Sequence, residues 1–197
     1  MKLEYFTTHN SQLDIYKPNR YEIDVGLHEK GQKPEALDRA YSALQAIELW
    51  QRAAYFIEND IFMHSPSEFH SSFIQTSHPL MLTSYSVNEF SGMKTYKTPE
   101  FNIGFALKDH SDCCEIVAVH NNEKLINNIG HLIVQAAIRH GGNSLNHFGS
   151  DKLNSLYGSL NFKEVHRELF NPQYDPEGLF ELTYGQLPVI YRVLTTQ

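Results

Sequence analysis

The sequence predicts a single α/β domain, and three observations carry that expectation. Its 197 residues suit one domain of ordinary size better than two. Hydrophobic residues make up 41% and charged residues 20%, so the chain can build a core and is not a disordered segment. The apolar spacing also changes along the chain, from steps of three and four to alternation, after which both periods interleave.

The elements follow that spacing in order. Residues 1–35 read as irregular, punctuated by Pro18, Gly26, Gly31 and Pro34, with alternation only over Tyr21 to Val25. Leu37, Ala40, Tyr41, Leu44, Ile47, Ala54 and Ile57 then mark a long amphipathic helix ending near Asn59. A short helix is expected after Pro66, with Phe69, Phe73 and Ile74 inward and His78-Pro79 closing it. Leu80 to Tyr85, Phe101 to Leu107 and Glu115 to His120 read as strands. Ile129, Leu132, Ile133, Ala136 and Ala137 give a second amphipathic helix, stopped by Gly141-Gly142. A strand over Leu145 to Phe148 leads to a helix capped by Ser150 or Asp151 and bearing Leu153, Leu156, Tyr157 and Leu160. Phe162 to Leu169 and Val189 to Leu194 close the fold, joined by a long polar loop. The expected organisation is thus 1–35 irregular, 36–99 helices and a first strand, and 100–194 alternating strands and helices.

Composition narrows the function classes. Sixteen Lys and Arg against 23 Asp and Glu leave a net charge of −7, which argues against a sequence-independent grip on nucleic acid phosphates. The longest apolar runs fall well short of the roughly 20 residues that span a bilayer, so no membrane partner is expected. No secretory signal is visible after Met1, and Cys113 and Cys114 make neither a disulfide framework nor a zinc quartet; the expected compartment is cytoplasmic. The neighbouring cysteines read as the start of a buried strand. His64, His70 and His78 do not share a helical face, and no metal is expected.

The chemistry concentrates where a strand, a loop and a helix meet at residues 115–132. The first N–H groups of that helix, with the helix dipole behind them, form an anion site suited to a pyrophosphate. Gly130 lets the backbone approach an anion closely, and Asn127 or Asn128 can take the left-handed angles of a phosphate-cradling turn. His120 ends the strand and His147 lies on the next one, both titrating in a useful range.

This order, with Tyr157 five residues before Phe162, resembles the C-terminal half of the GNAT superfamily of N-acyltransferases, and within it acetyltransferase-like proteins of bacteria and phages that share wording such as AVHNN. The resemblance covers roughly residues 100–194 and implies that they are the acyl-CoA-binding half. Leu125 stands where the family loop has Gln or Arg, Asn128 where it has its first Gly, and Asn161 where it has the Gly before Phe. The resemblance implies a mixed, mostly antiparallel GNAT-like sheet with splayed central strands, flanked by helices. It also implies acetyl-CoA as co-substrate and an amine, small-molecule or protein, as acceptor, in a chain able to form a homodimer. Val119 and the amides of Asn128, Ile129, Gly130 and His131 would hold the cofactor; Tyr157 would be the general acid and His120 a candidate base. His147, Tyr174 and Asp175 would border the substrate. Two other readings stand beside this one: a catalytically silent GNAT-like binding protein, such as a phage-encoded modulator of a host protein, and a transferase using another nucleotide donor such as NAD.

Overall fold

The computed structural model describes residues 34–76 and 79–195. The expected strand over Tyr21 to Val25, the irregular 1–35 reading up to residue 33, and His78 lie outside the described residues. The chain divides into two compact units, Met1–Gln45 and Ala46–Gln197, and the strands of the sheet belong to the second.

Helix α1 (Pro34–Asn59) crosses that boundary. It is followed by β1 (Phe62–Met63), α2 (Pro66–Phe73) and α3 (Val87–Phe90). Then come β2 (Lys94–Lys97), β3 (Ile103–Asp109), β4 (Cys114–Asn121) and α4 (Gly130–Arg139). The chain finishes with β5 (Ser144–Phe148), α5 (Asp151–Ser159), β6 (Phe162–Glu168), α6 (Leu179–Tyr184) and β7 (Val189–Leu194). The strands form one sheet in the order β1-β2-β3-β4-β5-β7-β6. β4 and β5 run parallel and every other pairing is antiparallel. The sheet is therefore mixed and mostly antiparallel, flanked by helices.

Each face of the sheet carries a core. On one, Ala53 and Ile57 of α1, Ile133 and Val134 of α4 and Tyr157 of α5 pack on Phe105, Leu107 and Ile116. On the other, Phe69 and Phe73 of α2 meet Phe90, Ala106 and Val117. Two reciprocal caps, Ser65 with Glu68 and Ser86 with Glu89, start α2 and α3 by satisfying the free amides of each first turn.

Several local expectations are corrected. Leu80 to Tyr85 is not a strand; a 3₁₀ turn at Pro79–Met81 leads into irregular chain whose Leu82 and Tyr85 cover the second core. The sheet instead begins with β1, paired to β2, both too short to announce themselves, and Thr95 and Tyr96 of β2 are buried beside β3. Ile74 is 61% exposed because α2 ends at Phe73 and turns its last residue outward. The polar connection after β6 contains α6, nucleated around Asp175.

Candidate functional site

The site begins with an irregularity in β4. Ala106 pairs with Val117 but Gly104 pairs with His120, so three steps on β4 oppose two on β3. The extra residue puts Ala118 at φ 51, left-handed backbone that a non-glycine residue rarely adopts. As a result Ala118 packs into the second core while the next residue, Val119, packs half-buried against the first.

Beyond that bulge the two parallel strands separate. β4 and β5 pair at Glu115 and Ser144 alone. The closed end is fastened by Cys114 N–H to Asn143 Oδ1 (2.9 Å), Asn143 N–H to the Cys114 carbonyl (2.9 Å), and Asn146 Nδ2 to Glu115 Oε1 (2.6 Å). Toward His120 and Phe148 the strands offer unshared backbone edges, a gap a linear ligand can enter by adding to the ladder.

At the open end the loop after β4 is tightly held. Ile126 and Ile129 are each 1% exposed and act as anchors. Asn121 Nδ2 donates to the Ile126 carbonyl, the Asn102 amide donates to Glu123 Oε1 (2.7 Å), and Trp50 Nε1 donates to the Asn127 carbonyl (3.1 Å). Between the anchors, Asn128 takes φ 58 and Ile129 φ −94, ψ −4. A left-handed residue followed by a right-handed one turns successive N–H groups into one concavity, an arrangement that binds anions. Ile129 supplies no side-chain cap to α4, and the carbonyl bonds of this turn reach back only from Leu132 and Ile133. Among the described residues the amides of Asn128, Ile129, Gly130 and His131 have no acceptor. A Cβ on Gly130 would sit 3.6 Å from Leu156 Cδ2, so Gly130 faces α5 across a narrow seam. The residues therefore fit a diphosphate.

Tyr157 sits on α5 with 8% of its surface exposed. Its ring lies 4.7 Å from that of His147 and 6.2 Å from Phe162. Burial pushes its phenol up to about 12, with the Arg192 charge pulling the other way. Arg192, on β7, donates from Nε to His147 Nε2 (3.0 Å), from Nη1 to the Phe162 carbonyl (3.0 Å) and from Nη2 to Asn154 Oδ1 (2.9 Å). Because His147 Nδ1 lies 2.7 Å from the Phe148 carbonyl, it carries the proton and Nε2 is the acceptor. Burial first, and the Arg192 charge, hold His147 below the usual histidine range despite that carbonyl.

His120 is enclosed rather than open to the gap. Its Nδ1 donates to the Ala118 carbonyl (3.0 Å) and its Nε2 accepts from Ser72 Oγ (3.0 Å). Phe69 and Phe73 present their rings at 5.2 and 5.8 Å, and Gly104 leaves room for the imidazole, since a Cβ there would come within 3.2 Å of its Cε1. Desolvation lowers its pKa from 6.5 to about 4. The expected base is thus enclosed, with both ring nitrogens engaged by Ala118 and Ser72 and burial favouring its neutral form.

The remaining candidates are dispersed. Asp175 accepts from the amides of Phe180 (3.1 Å) and Glu181 (2.8 Å) and so starts α6. Tyr174 belongs to the 3₁₀ turn Pro172–Tyr174, and its side chain lies outside the described residues. Two hollows of about 350 and 310 Å³ flank Leu125, one toward Leu49 and Phe101 and the other toward Ile47 and Trp50. Among the described residues no three His, Cys, Asp or Glu side chains converge where a metal ion could sit.

The chain matches no family model, no curated protein and no solved structure. Its site is therefore read from geometry. That geometry adds residues the sequence pattern did not single out: Arg192, Asn154 and Trp50. Arg192 had a signal, because it occupies an inward position of the alternation Ile190, Arg192, Leu194. A cation there requires partners.

Proposed function

We propose that this chain is an N-acetyltransferase with a GNAT-like scaffold, moving an acetyl group from acetyl-CoA to an amine. One observation carries the reading: β4 and β5 part beside a bulge, and the loop at their open end presents the uncapped start of α4 through left-handed Asn128. A long ligand with a diphosphate at one end and an amide-rich arm fits such a gap. Its phosphates would lie on the amides of Asn128 to His131, and its arm along the β4 edge at Val119.

The chemistry is acyl transfer held in place. The amine nitrogen attacks the thioester carbonyl, the carbon–sulfur bond breaks, and the sulfur leaves as a thiolate while the amine gives its proton to water. Positioning supplies several kcal/mol of the barrier reduction. Tyr157, protonated at neutral pH, donates its O–H toward the departing sulfur. His120 has no part in this step.

Thermal-shift and calorimetric titrations with acetyl-CoA, CoA and NAD test the reading. Saturable stabilisation by acetyl-CoA and CoA but not NAD is expected, about 2.7 kcal/mol at a hundredfold excess over Kd. Stabilisation by NAD alone would move the donor to another nucleotide. A second reading, a catalytically silent binding protein, draws on Leu125: it is 61% exposed between two hollows where the family loop carries a polar side chain. No response to CoA together with a stoichiometric protein partner would favour it.

A further inference from the structure

A buried guanidinium on neutral partners is the arrangement the transfer chemistry leaves unused. Arg192 is 9% exposed, and its three partners are an imidazole nitrogen, an amide oxygen and a main-chain carbonyl, none of them anionic. Three of its five N–H donors are thereby spent, and among the described residues its charge has no partner of opposite sign in contact. The partners are also specific in place. Asn154 lies one turn before Tyr157 on α5, Phe162 follows just after that helix, and His147 packs its ring on Tyr157 itself. The guanidinium thus bonds to α5 at Asn154 before the tyrosine, to the Phe162 carbonyl at the start of β6 after it, and to the imidazole packed on its ring.

We propose that Arg192 is the positioning residue for Tyr157, fixing the ring through Asn154, His147 and the Phe162 carbonyl and placing a positive charge where negative charge forms on the phenol. Its part in catalysis rests on the acetyltransferase reading; the coupling of the two residues does not. The direction of the phenol's shift agrees: desolvation raises it and Arg192 opposes the rise. A phenol left to desolvation alone would be a poor donor to a thiolate, so a neighbouring cation moves its acidity toward the useful range. The groups facing the pair are His147 from β5, held below the usual histidine range by burial and then by the Arg192 charge, and Glu164 from β6, whose carboxylate interacts with both His147 and Arg192.

The test uses the full chain with 3,5-difluorotyrosine at position 157, titrated by ¹⁹F NMR, in wild-type, R192K and R192Q backgrounds. The analogue ionises in the neutral range and reports one site. Loss of the charge in R192Q is expected to raise its midpoint by about one pH unit or more, with R192K close to wild type. An unchanged midpoint in folded R192Q overturns the proposal. If R192Q does not fold, the wild-type background decides: the Arg192 Nε–H resonance must shift with the midpoint of the analogue, and a flat resonance overturns the coupling. A parallel CoA titration separates the two readings, because coupling without CoA binding sinks the transferase and spares the Arg192–Tyr157 pair.

Discussion

The carbonyl of Ala118 accepts the Nδ1 proton of His120 at 3.0 Å, so the bulge in β4 is closed by the side chain two residues on. That bond, with Ser72 on the other ring nitrogen, locks the imidazole between β4 and α2. The ring is a brace for the bulge, and the bulge is where β4 leaves β5.

The backbone at Ala118 yields the first prediction. Its left-handed φ costs about 1–2 kcal/mol for a residue with a Cβ. A118G relieves that cost and loses one buried methyl of about 0.8 kcal/mol, so its urea midpoint should stay close to wild type. A118V, branched at Cβ, should be destabilised by about 2 kcal/mol. Equal destabilisation of both variants would mean that the bulge is held by packing alone.

His120 predicts an acid-sensitive fold. Burial holds its folded pKa near 4 against an ordinary 6.5. Between those values the unfolded chain takes up a proton that the folded chain refuses. Stability from this residue is therefore complete above pH 6.5 and is lost as pH falls to 4, by about 3 kcal/mol. Urea unfolding from pH 4 to 7 should show H120Q lacking that share of the slope. A slope identical to wild type would contradict the enclosed neutral ring.

Tyr157 separates chemistry from packing. Y157F keeps the buried ring and removes only the hydroxyl, so it should cost far less stability than Y157A. Y157A should cost about 3–5 kcal/mol by opening a cavity beside Phe162 and His147. With acetyl-CoA and a reactive amine, Y157F should lose about 100-fold in kcat while KM for acetyl-CoA is kept. Full turnover in Y157F would reduce the residue to filler.

Asn128 tests the anion cradle through backbone angle alone. At φ 58 glycine is free of strain and valine is strongly disfavoured. N128G should keep the thermal stabilisation given by CoA, and N128V should abolish it while the core and its far-UV circular dichroism remain. Equal binding by both would place the diphosphate elsewhere.

Much of this was legible along the chain. Val189–Leu194 forms the strand that its alternation announced, α4 stops at the glycine pair, and Ser150 caps α5 through the amide of Leu153. Asn128, one of two residues expected to turn left-handed, does so. These are local matters: period, cap and turn chemistry are written within a few residues of one another. The neighbourhood of a side chain is not. His120 and Ser72 lie 48 positions apart, and Arg192 and His147 lie 45 apart.

By itself, then, the sequence determined the α/β class, most helix and strand positions in the C-terminal half, and the loop with a left-handed turn before α4. Tertiary structure alone decided that His120 is sealed between β4 and α2, that the expected strand at 80–85 is a cover over aromatic rings, and that a cation from the last strand bonds to the ring beside Tyr157. The reason is physical: hydrophobic periodicity records which side of an element is buried, while protonation and hydrogen bonding depend on which distant residues share that burial.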